Sequence, residues 1–346
     1  MIFSPNFLLS NMTSTYLKDL QDGLHAIFAE NPKAILLGED VLHPYGGAFK
    51  VTSDLSLHYP GRVLTTPISE AAITGVGAGL ALRGYLPIVE IMFGDFLTLC
   101  ADQIVNHATK FPAMFPETDC PLIIRTPMGG GRGYGPTHSQ SLEKMFLGIP
   151  GLKLIAPSHF HQPGRLLRRV VAQEKSPTIF IENKLLYGIK LHENSDELPQ
   201  VEITDNNGYD ITLLHNYVSG EPDVFLIAYG GSSRHLTNIM HTLAKEEIRV
   251  QCALPACIDP APIDELAFYA AQSGRVVVVD EGYGDFSWAE GIAAKLYSSV
   301  WRELSAPIHI VTSDRAVIPT SPLQEEDVLI SGDKIKKTIF EVLSWV

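Results

Sequence analysis

Short runs of almost uninterrupted apolar residues, each handed on to a segment of helical spacing, recur along this chain and constrain its fold more than any other feature. Strands are expected over Ala34 to Leu37, Val63 to Ile68, Leu86 to Phe93, Pro121 to Thr126, Leu152 to Ala156 and Thr178 to Glu182. Helices are expected over 17–28, 70–83, 95–110, 139–147 and 160–174. Strands that are apolar throughout need cover on both faces, so the alternation predicts an α/β fold with a mostly parallel sheet enclosed by helices. From Tyr187 to Asp210 the pattern lapses into polar, Pro- and Asn-containing sequence, which reads as a linker. The alternation then restarts with Asp223 to Tyr229, Arg249 to Ala253, Arg275 to Glu281 and Pro307 to Thr312 as strands, and ends in a helix from about Lys334. At 346 residues the chain is too long for one ordinary core. The expected organisation is a first domain over 12–190, a linker over 191–210 and a smaller α/β domain over 211–346.

Composition narrows the function. Lys and Arg total 26 against 39 Asp and Glu, a net charge of -13, which disfavours nucleic acid or an anionic membrane as partner. The cysteines Cys100, Cys120, Cys252 and Cys257 form no CxxC pair and have no His at zinc-finger spacing, so they read as reduced core thiols. Apolar stretches are broken by Arg83, Glu90 and Asp95 well short of the roughly 20 residues a membrane helix needs. The first eleven residues lack a basic segment and read as a loose extension before Met12, as from an upstream start codon; a soluble, cytoplasmic protein is expected.

In open parallel sheets ligands bind beyond the carboxyl ends of the strands, which directs attention to four places. These are Glu70 in Thr66-Pro67-Ile68-Ser69-Glu70, the turn Met92-Phe93-Gly94-Asp95-Phe96, the run from Met128 through the glycines to His138, and Glu182-Asn183. An acid, an aromatic ring and a histidine so placed would suit a flat nitrogenous ring. Each has a plainer reading. Glu70 could simply complement a helix dipole, the commoner role for an acidic residue in a first turn. Phe96 could be core, and His138 could cap a helix through Ser139. The glycine run matches neither the Walker spacing nor the strict dinucleotide fingerprint, which argues against phosphate binding.

Taken together, several segments carry a resemblance. Leu37-Gly38-Glu39-Asp40-Val41, Thr66-Pro67-Ile68-Ser69-Glu70, Phe93-Gly94-Asp95-Phe96 with Ala101 to Asn106, and His138-Ser139-Gln140-Ser141 with Gly148 to Leu152 occur in one order. The sequence resembles the β subunit of thiamine-diphosphate-dependent 2-oxo acid dehydrogenases, the decarboxylating component of pyruvate, branched-chain and acetoin dehydrogenase complexes. The resemblance runs from about Thr13 to the C-terminus and is strongest over 35–185. It implies a pyrimidine-binding domain followed by a transketolase C-terminal-like domain. It also implies an enzyme that decarboxylates a 2-oxo acid and passes the acyl group to a lipoyl acceptor. Glu70 is then the acid on the aminopyrimidine nitrogen, Phe96 packs on that ring, Met92 completes the apolar wall, and His138 stands by the substrate and the arriving lipoyl group.

The family's diphosphate- and Mg2+-binding Gly-Asp-Gly...Asn motif is absent here, so the resemblance implies that a separate α subunit supplies it. The expected assembly is an α2β2 heterotetramer with a second β chain, docked on a lipoyl acyltransferase core. Three departures stand out: Leu99 where some relatives have Gln, Leu254-Pro255-Ala256 where many have Asp-Leu-Arg, and Glu174 and Ser176 in place of the usual ligands of a structural K+. The last argues against that ion. Two alternatives remain open at this point. One is a split transketolase-like subunit passing a two-carbon unit to an aldehyde or carrier protein; the other is a catalytically silent structural subunit.

Overall fold

The computed structural model describes residues 14–192, 199–206 and 208–345. The strands in chain order are β1 Ala34–Gly38, β2 Val63–Thr65, β3 Leu86–Glu90, β4 Ile123–Met128, β5 Lys153–Ile155, β6 Thr178–Asn183, β7 Gln200–Asn206, β8 Tyr209–His215, β9 Val224–Ile227, β10 Val250–Pro255, β11 Cys257–Asp259, β12 Val276–Tyr283 and β13 His309–Ser313. They form a seven-stranded sheet, β11-β5-β6-β4-β3-β1-β2, and a six-stranded sheet, β13-β12-β9-β10-β8-β7. The first is parallel except where β11 joins β5 antiparallel. The expected two-domain α/β architecture is therefore present, with both sheets covered by helices. Among the described residues no helix is long and apolar enough to cross a membrane, and all four cysteines are free and buried.

β3, β4 and β6 are buried at every position, as their apolar runs require. Yet they carry charge. Parallel pairing sets Glu90 beside Arg125, and Arg125 faces Phe180 across the next pair, so Glu182, two residues on, shares its face. Arg125 donates from Nε and Nη2 to the two oxygens of Glu182, each at 2.8 Å, and from Nη1 to Glu90 Oε2 at 2.8 Å. The Tyr187 hydroxyl donates to Glu182 Oε2 at 2.8 Å. With Arg125 only 1% exposed, the pairing compensates charges that could not otherwise be taken from water. The loop between β1 and β2 closes over this group: a Cβ on Gly47, whose φ is +75°, would lie 2.1 Å from Glu90 Oε1.

Several boundaries differ from the sequence reading. Residues 200–206, inside the stretch read as a linker, form the edge strand β7, paired antiparallel with β8. The composition is polar because β7 is an edge strand with several residues facing solvent. β8 also begins inside that stretch, at Tyr209; residues 193–198 and 207 lie outside the described residues, as does the proposed extension over 1–11. The helix expected over 139–147 is only a single 3-10 turn, Glu143–Phe146. The helix expected over 95–110 is broken into a 3-10 turn Gly94–Phe96, an α-helical Leu97–Asp102 and a π-helical Gln103–Ala108. β11 and the helix Pro322–Val328 had no strong sequence signal; each is short, and tertiary pairing and packing hold it.

The domains are joined by chemistry as well as by chain. The Tyr229 hydroxyl lies 2.8 Å from both Glu143 Oε1 and Asp280 Oδ1. Asp280 also accepts from Gly282 N and Ala289 N. One phenolic proton cannot serve two carboxylates, so Glu143 must carry a proton of its own. Burial, followed by the charge of Asp280, pushes the Glu143 carboxyl up to about 8 from its ordinary 4.5. Asn183 of β6 donates to both oxygens of Glu281, and Trp288 Nε1 donates to Ile258 O.

Two outcomes follow. Arg125→Met, which leaves two buried carboxylates without their cation, should lower the unfolding free energy by about 3–5 kcal/mol in denaturant titration. Glu143 is protonated in the folded chain and ionised in the unfolded one between about pH 4.5 and about pH 8. The folded state then binds the extra proton, so this group's contribution is full at acid pH and is lost as pH rises through that window. Glu143→Gln should therefore flatten the fall in Tm between pH 5 and pH 8 and raise Tm at pH 8; an unchanged slope would contradict the assignment.

Candidate active site

The carboxyl ends of β1, β2, β3, β4 and β6 converge on one region. Glu70 opens the helix Glu70–Leu82, whose cap residue Ser69 makes no side-chain capping bond, and is 6% exposed. Its carboxylate makes no hydrogen bond or ion pair among the described residues. Glu39, just past β1, is equally buried; its Oε1 and the neighbouring Thr66 Oγ1 have no hydrogen-bond partner among the described residues. Burial, then the charge of Glu70, raises the Glu39 carboxyl above its ordinary value.

Cys100 ties this corner to the next one. Its Sγ lies 3.6 Å from both Glu70 O and Phe96 O, and burial pushes the thiol up to about 12, so it stays a donor. Phe96 is half-buried at the end of the 3-10 turn after β3, and Met92 stands half-buried on the same connection. The Phe96 ring meets His138 edge-on at 5.3 Å between centroids, and Phe93 meets His138 at 4.7 Å and Phe96 at 6.0 Å. The structure thus brings the Phe96 and His138 rings into contact, and Cys100 links the backbone of Phe96 to the backbone of Glu70. Met92 shares the turn and takes no part in these contacts.

Three residues beyond the sequence candidates belong to this region. Lys184, directly after β6, is fully buried; Nζ donates to His138 O and lies 5.2 Å from the Phe93 ring centroid and 5.8 Å from that of Tyr134. Burial lowers its ammonium to about 8 from 10.5, with Asp95 opposing the shift. Asp95 accepts at Oδ1 from Gln140 N and Nε2, while Oδ2 is buried without a partner among the described residues. The third is Glu39. The strand-end rule could have flagged Glu39 and Lys184, each within two residues of a strand end. Asp95 was visible only as a member of a motif.

The glycine run is engaged within the chain. Gly131 N and Gly133 N both donate to the carboxylate of Glu325 in the second domain.

The second α/β domain reaches the strand-end loops of the first, and comparison with known proteins gives both domains a family. Residues 13–190 match the transketolase pyrimidine binding domain, and residues 215–335 match the transketolase C-terminal domain. The chain is 32% identical over 327 residues to the β subunit of acetoin:2,6-dichlorophenolindophenol oxidoreductase of Cupriavidus necator, with 91% of this chain and 93% of that protein covered. It is 31% identical over 319 residues to the pyruvate dehydrogenase E1 component subunit beta of Porphyra purpurea, covering 89% and 90%. Among solved structures, a split-gene transketolase in an inactive β4 tetramer superposes with a TM-score of 0.70 at 18% identity, covering 94% of this chain and 97% of that one, a likeness of fold. The chain belongs to the transketolase-like family, among the β subunits of 2-oxo acid dehydrogenases.

Proposed function

We propose that this chain is the β subunit of a thiamine-diphosphate-dependent 2-oxo acid dehydrogenase, and that Glu70, Met92 and Phe96 hold the aminopyrimidine of the cofactor while His138 serves the acyl transfer. The observation that carries the reading is Glu70: a carboxylate buried at a helix N-terminus, without a partner among the described residues, on a residue whose backbone carbonyl meets Cys100 Sγ together with that of Phe96, whose ring touches His138. The orphaned Glu39 Oε1 and Thr66 Oγ1 beside it also fit a flat ring bearing hydrogen-bonding nitrogens. When bound, thiamine diphosphate supplies the carbon nucleophile that attacks the keto carbon and stabilises the electrons left when carbon dioxide departs.

The chain's residues do the rest. Glu70 accepts or shares a proton at the pyrimidine nitrogen, a positioned acid–base role. Phe96 fixes the ring plane, with aromatic contact worth about 0.5–1.5 kcal/mol beyond burial. His138, with Nδ1 2.9 Å from Thr137 Oγ1 and its ring braced by two phenyl edges, exchanges a proton with the acyl acceptor. The diphosphate and its Mg2+ fall to an α subunit. Around Glu70 the chain exposes Leu64, Ile68, Val76 and Leu99, with Ile68 82% exposed, an apolar band of the kind partner chains cover. An α2β2 assembly on a lipoyl acyltransferase core is the arrangement we expect. Four free, buried cysteines fit a reducing compartment such as the cytoplasm.

The test is reconstitution with the α subunit and assay across pyruvate, branched-chain and longer 2-oxo acids, with an aldehyde acceptor as the arm for a two-carbon transferase. Glu70→Gln should lower decarboxylation by about 10²- to 10⁴-fold, and unchanged turnover would leave a silent structural subunit. Ile68→Asp should weaken assembly, read by light scattering on a sizing column, while shifting the chain's own stability by no more than about 0.5 kcal/mol.

A further inference from the structure

The stretch from Gly129 to Gly135 holds five glycines, and three of them, Gly130, Gly133 and Gly135, face the second domain. Glu325, in the helix Pro322–Val328, is 1% exposed. Its Oε1 accepts from Gly131 N at 2.9 Å and its Oε2 from Gly133 N at 2.6 Å. Alternate amides aimed at one carboxylate form an anion-binding concavity, and here the anion is a side chain of the same chain. The fit crowds side chains at particular loop positions. A Cβ on Gly130 would lie 2.7 Å from Leu329 Cδ1, and one on Gly135, at φ +75°, 2.9 Å from Thr320 Oγ1. From the opposite side Arg132 Nη2 donates to Lys184 O at 2.8 Å, and Lys184 Nζ donates to His138 O. The loop that carries His138 is therefore clasped between β6 of its own domain and one acid of the other.

We propose that Glu325 is a positioning residue for His138: by filling the amide concavity at Gly131 and Gly133, it fixes the loop at the distance that sets the imidazole against Phe93 and Phe96. The proposal rests on the reading in which His138 serves acyl transfer. It makes the second domain a determinant of catalytic geometry. Gln at 325 keeps the shape but loses the charge and one acceptor, so one amide loses its partner.

The experiment compares E325Q, E325A, H138A and the double variant E325Q/H138A, each assembled with the α subunit, with E326Q as an exposed neighbouring control. Amide hydrogen exchange over 129–140 should quicken about tenfold in E325Q, the scale of losing one charge-assisted hydrogen bond. Turnover with the lipoyl acceptor should fall about tenfold, with KM for the 2-oxo acid and dye-linked decarboxylation within about threefold of wild type. In the H138A background E325Q should cost nothing further, because the loop would no longer have an imidazole to place. An equal loss in both backgrounds, or unchanged exchange, overturns the proposal. A wild-type complex inactive on every 2-oxo acid would sink the dehydrogenase reading instead, and the exchange result would still decide whether Glu325 holds the loop. If E325A fails to fold, the isosteric E325Q carries the test.

Discussion

The buried Glu90–Arg125–Glu182 group is the constraint on which the first domain depends. Three neighbouring strands each place a charge on the same face of an otherwise apolar sheet, and only one register lets them meet. A slip of one residue in any of the three would bury an unpaired charge, costing several kcal/mol. The network therefore does more to select the alignment of β3, β4 and β6 than to stabilise it. That alignment sets where each strand ends, and so where Met92, Phe96, the His138 loop and Lys184 stand.

Around the site, polar groups divide into the satisfied and the orphaned. Arg125, Glu325 and Asp280 have partners throughout, and they belong to the frame. Glu39 Oε1, Thr66 Oγ1 and Asp95 Oδ2 have none among the described residues and lie where a ring and a partner chain would come. Stable folds rarely leave buried polar atoms unpaired unless something else meets them. The contrast is what raises Glu70 from a helix-dipole complement to a candidate catalytic acid.

Much of this was legible in the residues. Long apolar strands and periodic helices announced both sheets, because burial on two faces leaves no room for polar interruption. Glu70, Phe96 and His138 became candidates because strand ends and motif order point to them. What was lost was local structure that only tertiary context supports. β7 is a polar edge strand and so resembled a linker. β11 is three residues long, and the segment over 139–147 has apolar residues at helical spacing but packs as a single turn. The role of the glycine run was hidden because its partner, Glu325, lies 192 residues from Gly133 in the chain.

β11 pairs with β5 in the first sheet although it follows β10 of the second, with Cys257 opposite Ile155 and Ala156 N donating to Ala256 O. The second domain thereby closes what would otherwise be a bare margin of the first. If the chain were cut between the domains, the backbone groups of β5 would be left as an open template for another chain. The two halves of this molecule should be regarded as one unit of solubility, and attempts to make either alone invite edge-to-edge aggregation before any question of chemistry arises.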